Sequence, residues 1–175
     1  MNIERPSVIT GKLLDFTTRF MVSPAPYAGI SDVKGDAMNK IQEQVDEFHI
    51  TYNVHRPGFP EGRLKPGPPA FPPQARIDLR LKLIEEEFIE LREAIAACDI
   101  VEVADALGDL LYVTFGTAIE FGIDMEPVND EIHISNMSKL GADGKPLYAD
   151  NGKVLKGPNF FPPNIRRVLQ AQGMK

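Results

Sequence analysis

Cysteine is almost missing from this chain. Cys98 is the only one in 175 residues, so no internal disulfide can form, and no zinc site built on several thiolates can exist. A reducing cytoplasm is the compartment that such a sequence suggests. An excess of basic charge is missing too: the net charge is −6. Affinity for nucleic-acid backbones and anionic membranes comes mainly from clustered Lys and Arg, so neither is an expected partner. No apolar run in the sequence approaches the ~20 residues needed to span a bilayer. Met1 to Pro6 also lacks a basic segment leading into an apolar one. The expectation is a soluble protein that is not exported.

What is present is globular. Hydrophobic residues make up 43 % and charged residues 25 %, far from the composition of disordered chains. The length suits one domain, 1–175, able to bury a core without staples. Gly11 to Met21 and Asp36 to Thr51 carry apolar residues at helical spacing, the second with Ile41, Val45, Phe48 and Tyr52 on one stripe and Asp36 as a candidate N-cap. From Ala75 to Ala97, Ile77, Leu81, Ile84, Phe88, Leu91 and Ile95 follow the plus-four, plus-three rhythm of one helical face. Asp99 reads as the N-cap of the next helix, with Glu102 completing a capping-box pattern and Gly122 ending the helix. Its apolar side is Val103, Leu107, Leu110, Leu111, Thr114, Phe115 and Ala118. Pro127 opens a further helix reaching about Leu140. The fold class expected is an all-α helical bundle.

Two regions interrupt the helical pattern. Residues 54–74 hold seven prolines, from Pro57 to Pro73, which block helix interiors and central strands and make this a long loop. Near the C-terminus, Asn151-Gly152 is a two-residue turn signal between Pro146 to Ala149 and Lys153 to Leu155, so a small β-hairpin is expected. A short helix over Asn164 to Gln172 follows.

Chemistry concentrates in carboxylates. Glu85, Glu86, Glu87 and Glu90 sit in the middle of the most apolar helix, where Leu79, Leu83, Glu86 and Glu90 form a stripe that turns from apolar to acidic. On the following helix Glu102, Asp105 and Asp109 share a side at i, i+3 and i+7. The connection from Ala97 to Asp99 is short, which makes the helices antiparallel neighbours and lets both acid faces share one groove. Carboxylates crowded in this way repel one another unless opposite charge is supplied. A hard cation such as Mg²⁺, which takes oxygen ligands and leaves room for water and phosphate, meets that need. A solvated acidic surface is the plain alternative for an isolated ExxE, and pairing with an ExxD on the adjoining helix weighs against it.

The run Glu86-Glu87-Phe88-Ile89-Glu90-Leu91, then Glu102-Val103-Ala104-Asp105 and Gly108-Asp109-Leu110-Leu111-Tyr112, resembles the MazG-like all-α NTP pyrophosphohydrolases, whose signature is EExxE followed by ExxD. The likeness spans roughly Ala75 to Ile165 and includes Gly116-Thr117-Ala118, His133 to Lys139 and Asp150 to Asn159, the last two as in phage and bacterial members. The resemblance implies a helical homodimer or homotetramer that hydrolyses the bond between the α and β phosphates of a nucleoside triphosphate with Mg²⁺ or Mn²⁺. Carried over by position, Glu86, Glu90, Glu102 and Asp105 are the metal ligands, and Glu87 is either a ligand or the base that activates water. Asp109 is an additional or supporting ligand three residues before the aromatic Tyr112, and Ala106 stands where some relatives have Glu. Asn136 and Lys139 match the family's NxxK pattern for phosphate, with Lys153 and Lys156 as further phosphate contacts and His133 nearby. Likeness to phage members acting on dGTP makes that deoxynucleotide the first expectation, with dUTP and dCTP open. A phage-encoded member would work in the host cytoplasm.

Two other readings compete. Asp46 with His49 and Asp130 with His133 have the i, i+3 spacing seen in di-iron bundles, although such sites use Glu-x-x-His with further glutamates. A core or interface role is preferred for His49. The third reading is a non-catalytic helical interaction protein with an acidic surface.

Overall fold

The computed structural model describes residues 39–56 and 67–175. Five helices succeed one another: α1 Lys40–Thr51, α2 Gln74–Ala97, α3 Ile100–Glu120, α4 Met125–Met137 and α5 Ile165–Ala171. The described residues are all-α, as the periodicity and Pro/Gly punctuation require. The helix expected over Gly11 to Met21 lies outside the described residues, as does the middle of the Pro-rich loop.

Helix starts follow side-chain oxygens able to satisfy orphan N–H groups. Asn39, rather than Asp36, caps α1 by accepting from Ile41 N. Asp99 caps α3, accepting from Val101 N and Glu102 N. The capping box is only half made, because the Asp99 N–H is already committed to the Ala94 carbonyl. Asp124 caps α4, so that helix begins two residues before Pro127, and it ends at Met137, three residues short of Leu140. Gly122 follows α3 at φ +69°, and a Cβ there would sit 2.8 Å from the Gly67 carbonyl oxygen. Glycine is required at that turn.

The expected hairpin contracts to a single antiparallel bridge, Tyr148 with Val154. The Asn151-Gly152 turn forms, with Gly152 at φ +80°, and the Leu155 N–H reaches the Leu147 carbonyl at 2.7 Å. The flanking stretches are too short to make strands. Asn164 caps α5 as the short C-terminal helix requires.

The core corrects the apolar stripe read on α2. That helix buries Arg80 and Ala94, whereas Leu81, Phe88 and Ile95 each remain more than half exposed. Burial concentrates instead where α1 crosses the C-terminal half of α3: Val45, Phe115 and Ile119 cluster there, with Met125 against them. Much of this core is polar, and its buried side chains find partners as desolvation demands; among the described residues, His55 Nε2 is the buried atom left without one. Gln42 donates to the Ile123 carbonyl at 2.6 Å and accepts from Met125 N at 2.9 Å. Asp46 takes both arms of Arg56 at 2.6 Å.

Candidate active site

The α2–α3 pair is a tight antiparallel hairpin of helices. Cys98 turns the corner in the left-handed region at φ 56°, and Asp99 starts α3 at once, so the C-terminal part of α2 faces the N-terminal part of α3. Ala94, Ala97 and Ala106 are small enough to leave a groove of about 430 Å³ between them, whose polar walls are Glu90, Glu93, Asp99, Glu102 and Asp105. Three of the expected ligands, Glu90, Glu102 and Asp105, therefore meet. Glu93 and Asp99 are additions that the motif did not single out. Glu93 stands at i+3 from Glu90, a spacing that could have found it; Asp99 was accounted for as a cap.

A second grouping centres on Glu87, one turn deeper along the hairpin. Partial burial raises its carboxyl above the usual range, and the nearby charges of Glu90, Asp109, Glu86 and Asp105 raise it further. A carboxyl in such surroundings holds a proton more readily than a free one, which suits a proton acceptor. Asp109 thus belongs to the acid cluster through Glu87. Glu86 lies at the rim, exposed, with Lys82 at 3.2 Å.

The donor chemistry fits a hard divalent cation: an oxygen-only set, drawn from two rigid helices, with mutual repulsion that a cation would relieve. Among the described residues, no three carboxylates converge as a finished cage. The fit is therefore to an ion that keeps part of its water shell, as Mg²⁺ does.

Farther along the same helices the electrostatics reverse. Glu120 is fully buried and is gripped by Arg76 through two bonds of 2.9 and 2.6 Å, with Arg80 at 3.6 Å. Arg80 also donates to Thr117 Oγ1 at 3.1 Å. Hydrogen bonding to Glu120 raises the Arg76 pKa, and desolvation lowers that of Arg80. Gly116 makes room for this arrangement, since a Cβ there would come 2.5 Å from Arg80 Nη2 and 3.2 Å from His49 Nε2. His49 is buried, its Nδ1 3.3 Å from the His55 carbonyl oxygen, while Asp46 faces Arg56. The Asp46–His49 pair is a core feature and not a metal pair; Asp130 and His133 are both exposed.

The expected phosphate ligands lie elsewhere on the chain. Asn136 is the penultimate residue of α4 and Lys139 lies beyond the helix end, so the two do not share a helix, yet Lys139 Nζ donates to Asn136 Oδ1 at 2.7 Å. Lys153 and Lys156 flank the bridge, and Lys156 lies 4.4 Å over the Phe160 ring. α4 packs with α5, and none of these cations lines the acidic groove.

Parts of this chain are similar to known proteins. The phosphoribosyl-ATP pyrophosphohydrolase family matches residues 61–136, the stretch containing the acidic hairpin. The matched stretch, less than half of the chain, is similar to that family. An uncharacterized protein of Acanthamoeba polyphaga mimivirus is 35 % identical over 92 residues, covering 53 % of this chain and 34 % of that protein. The chain thus spans about a third of the length of the curated relative it matches. A crystal structure of a presumptive NTP pyrophosphohydrolase from an Exiguobacterium species is 24 % identical, covering 78 % of this chain and 95 % of that one at a TM-score of 0.37. No single helix among the described residues is long and apolar enough to cross a membrane.

Proposed function

We propose that the protein is a single-domain, metal-dependent nucleoside triphosphate pyrophosphohydrolase that converts a (d)NTP and water to the (d)NMP and pyrophosphate. The observation that carries this reading is the pair of acid groupings on α2 and α3, which share Glu90 and Asp105 in one groove. The family matched by residues 61–136 supports the reaction class.

Glu86, Glu90, Glu102 and Asp105 would hold Mg²⁺, or Mn²⁺ in its place, and the ion would neutralise the charge of the triphosphate. Glu87 takes the proton from a water molecule as the water oxygen bonds to the α phosphorus. The bond from that phosphorus to the α–β bridging oxygen breaks, and pyrophosphate leaves with the bonding electrons. Charge stabilisation and orientation are most of what such a reaction asks of a protein. Asn136, Lys139, Lys153 and Lys156 serve as phosphate contacts in the assembled enzyme, where a second copy covers the exposed apolar residues of α2 and α3, Leu81, Ile95, Ile100 and Leu107 among them. The assembly is a homodimer or homotetramer, and the setting is cytoplasmic, that of the host cell for a viral protein. dGTP is the first substrate to try.

The test is a kinetic panel of the eight common NTPs and dNTPs with Mg²⁺, with the phosphorus products separated. Pyrophosphate and a monophosphate in equal amounts are expected. Orthophosphate and a diphosphate would overturn the bond assignment, and no product from any nucleotide would leave a non-catalytic acidic protein.

A further inference from the structure

Three aromatic rings meet at the surface where α1 crosses α3. Phe48 of α1 and Tyr52, the residue that follows the end of α1, have ring centroids 4.5 Å apart, and Tyr112 of α3 meets Phe48 edge-on at 5.7 Å. Aromatic residues that find one another usually do so to leave water. These do not: Phe48 is 40 %, Tyr52 67 % and Tyr112 37 % exposed. The reason lies in the phase of α1. Its buried face is taken by Gln42, Val45, Asp46 and His49, so Phe48 and Tyr52 fall on the flank and present their rings sideways.

Two neighbours give the patch a chemical meaning. Tyr112 follows Asp109 by three residues on one helix face, a rise of about 4.5 Å, and Asp109 acts on Glu87 within the acid cluster. The rings are thus continuous with the acidic site along α3. Burial raises the Tyr112 phenol above its ordinary range, and the charge of Glu47, the residue before Phe48 on α1, raises it further. An ionised carboxylate only accepts hydrogen bonds, so a flat ligand lying on the rings meets an acceptor at its edge.

We propose that Phe48, Tyr52 and Tyr112 form the platform on which the base of the nucleotide stacks, with Glu47 accepting N–H donors from the base edge. This rests on the acidic groove being the triphosphate site. Stacking on aromatic side chains tolerates any base, because every base has a π-face. Selection comes from Glu47. It favours guanine, whose adjacent ring N–H and amino group can both reach one carboxylate, over uracil, which offers a single N–H.

The experiment separates base binding from chemistry. The full-length protein, in EDTA to prevent turnover, is titrated with GMP, UMP and ribose 5-phosphate while the tyrosine ring signals are followed by NMR. Among the chain's four tyrosines, those of Tyr52 and Tyr112 are expected to shift with GMP, less with UMP, and not with ribose 5-phosphate. Tyr52→Ser, a change at a largely exposed side chain that leaves the core intact, should weaken GMP binding about tenfold. Glu47→Gln should narrow the preference for GMP over UMP. Equal binding of GMP and ribose 5-phosphate, or unchanged GMP affinity in both variants, would overturn the platform. Triphosphate turnover with Mg²⁺ is measured alongside: hydrolysis of methyl triphosphate as efficient as that of dGTP sinks the platform and spares the hydrolase reading. GMP-dependent shifts without any hydrolysis sink the hydrolase reading and keep the platform as a nucleotide-binding surface.

Discussion

The two ends of the α2–α3 hairpin treat charged groups in opposite ways. At one end Glu120 is buried and matched by Arg76 and Arg80, with a glycine opposite to make space. At the other, Glu87, Glu90, Glu93, Glu102, Asp105 and Asp109 crowd along a groove lined with alanine. A buried carboxylate with its counter-charge inside the chain is a structural element. Carboxylates gathered without a counter-charge of their own, so that burial and like charges raise the Glu87 pKa, are costly to the fold, and a cation from outside would relieve them.

Glu90→Ala and Glu102→Ala break the comparison most severely. Each should drop metal-dependent turnover to background with the far-UV circular dichroism spectrum unchanged and the melting temperature no lower than that of the wild type. Full activity in both would remove the acid groove from the mechanism. At the paired end the balance inverts. Arg80→Ala leaves Glu120 short of charge in the interior, and chemical denaturation should register a loss of about 3–5 kcal/mol; a loss well under 1 kcal/mol would mean the network is not what secures this corner.

Gly116→Ala tests the same network by crowding it. Arg80 and His49 must both yield, and the expected cost is about 1–3 kcal/mol in the same denaturation assay. Asp99→Ala removes the cap of α3 for about 1 kcal/mol, with a further loss of turnover if its carboxylate also serves the groove.

The smallest effect is one of pH. Burial lowers the His49 pKa below its usual imidazole value, with Arg80 acting the same way, while its contact with the His55 carbonyl, Glu120 and Asp46 oppose this. Because the unfolded chain takes up a proton that the folded one resists, stability should decline as pH falls below about 6.5. His49→Gln should flatten that slope in melting temperatures recorded from about pH 7.5 to 5.

Much of this was legible in the chain. Helix positions followed from apolar spacing and from Asp99 as a cap, and the acid motif was readable because i, i+3 carboxylates on adjoining helices leave few alternatives. The core was harder. Gln42, Asp46, His49, Arg80 and Glu120 occupy interior positions, and polar residues there are invisible to a reading that equates interior with apolar. The same reading assigned Leu81, Phe88 and Ile95 to the core, although an apolar stripe reports only that something must cover it. Arg76 and Arg80, spaced one turn apart opposite Glu120 in an apolar helix end, were the signal available for the buried network. The hairpin was overestimated because Asn151-Gly152 specifies a turn and says nothing of how long the flanking pairing runs.

The corner at Cys98 sets a phase as well as a direction. With only Cys98 and Asp99 between the helices, the azimuth of α3 about its own axis is coupled to that of α2, and adding one residue there would rotate everything downstream by about 100°. Glu102 and Asp105 would swing away from Glu90 while every side chain kept its identity. Point changes in this corner are therefore negotiable, whereas its length is not.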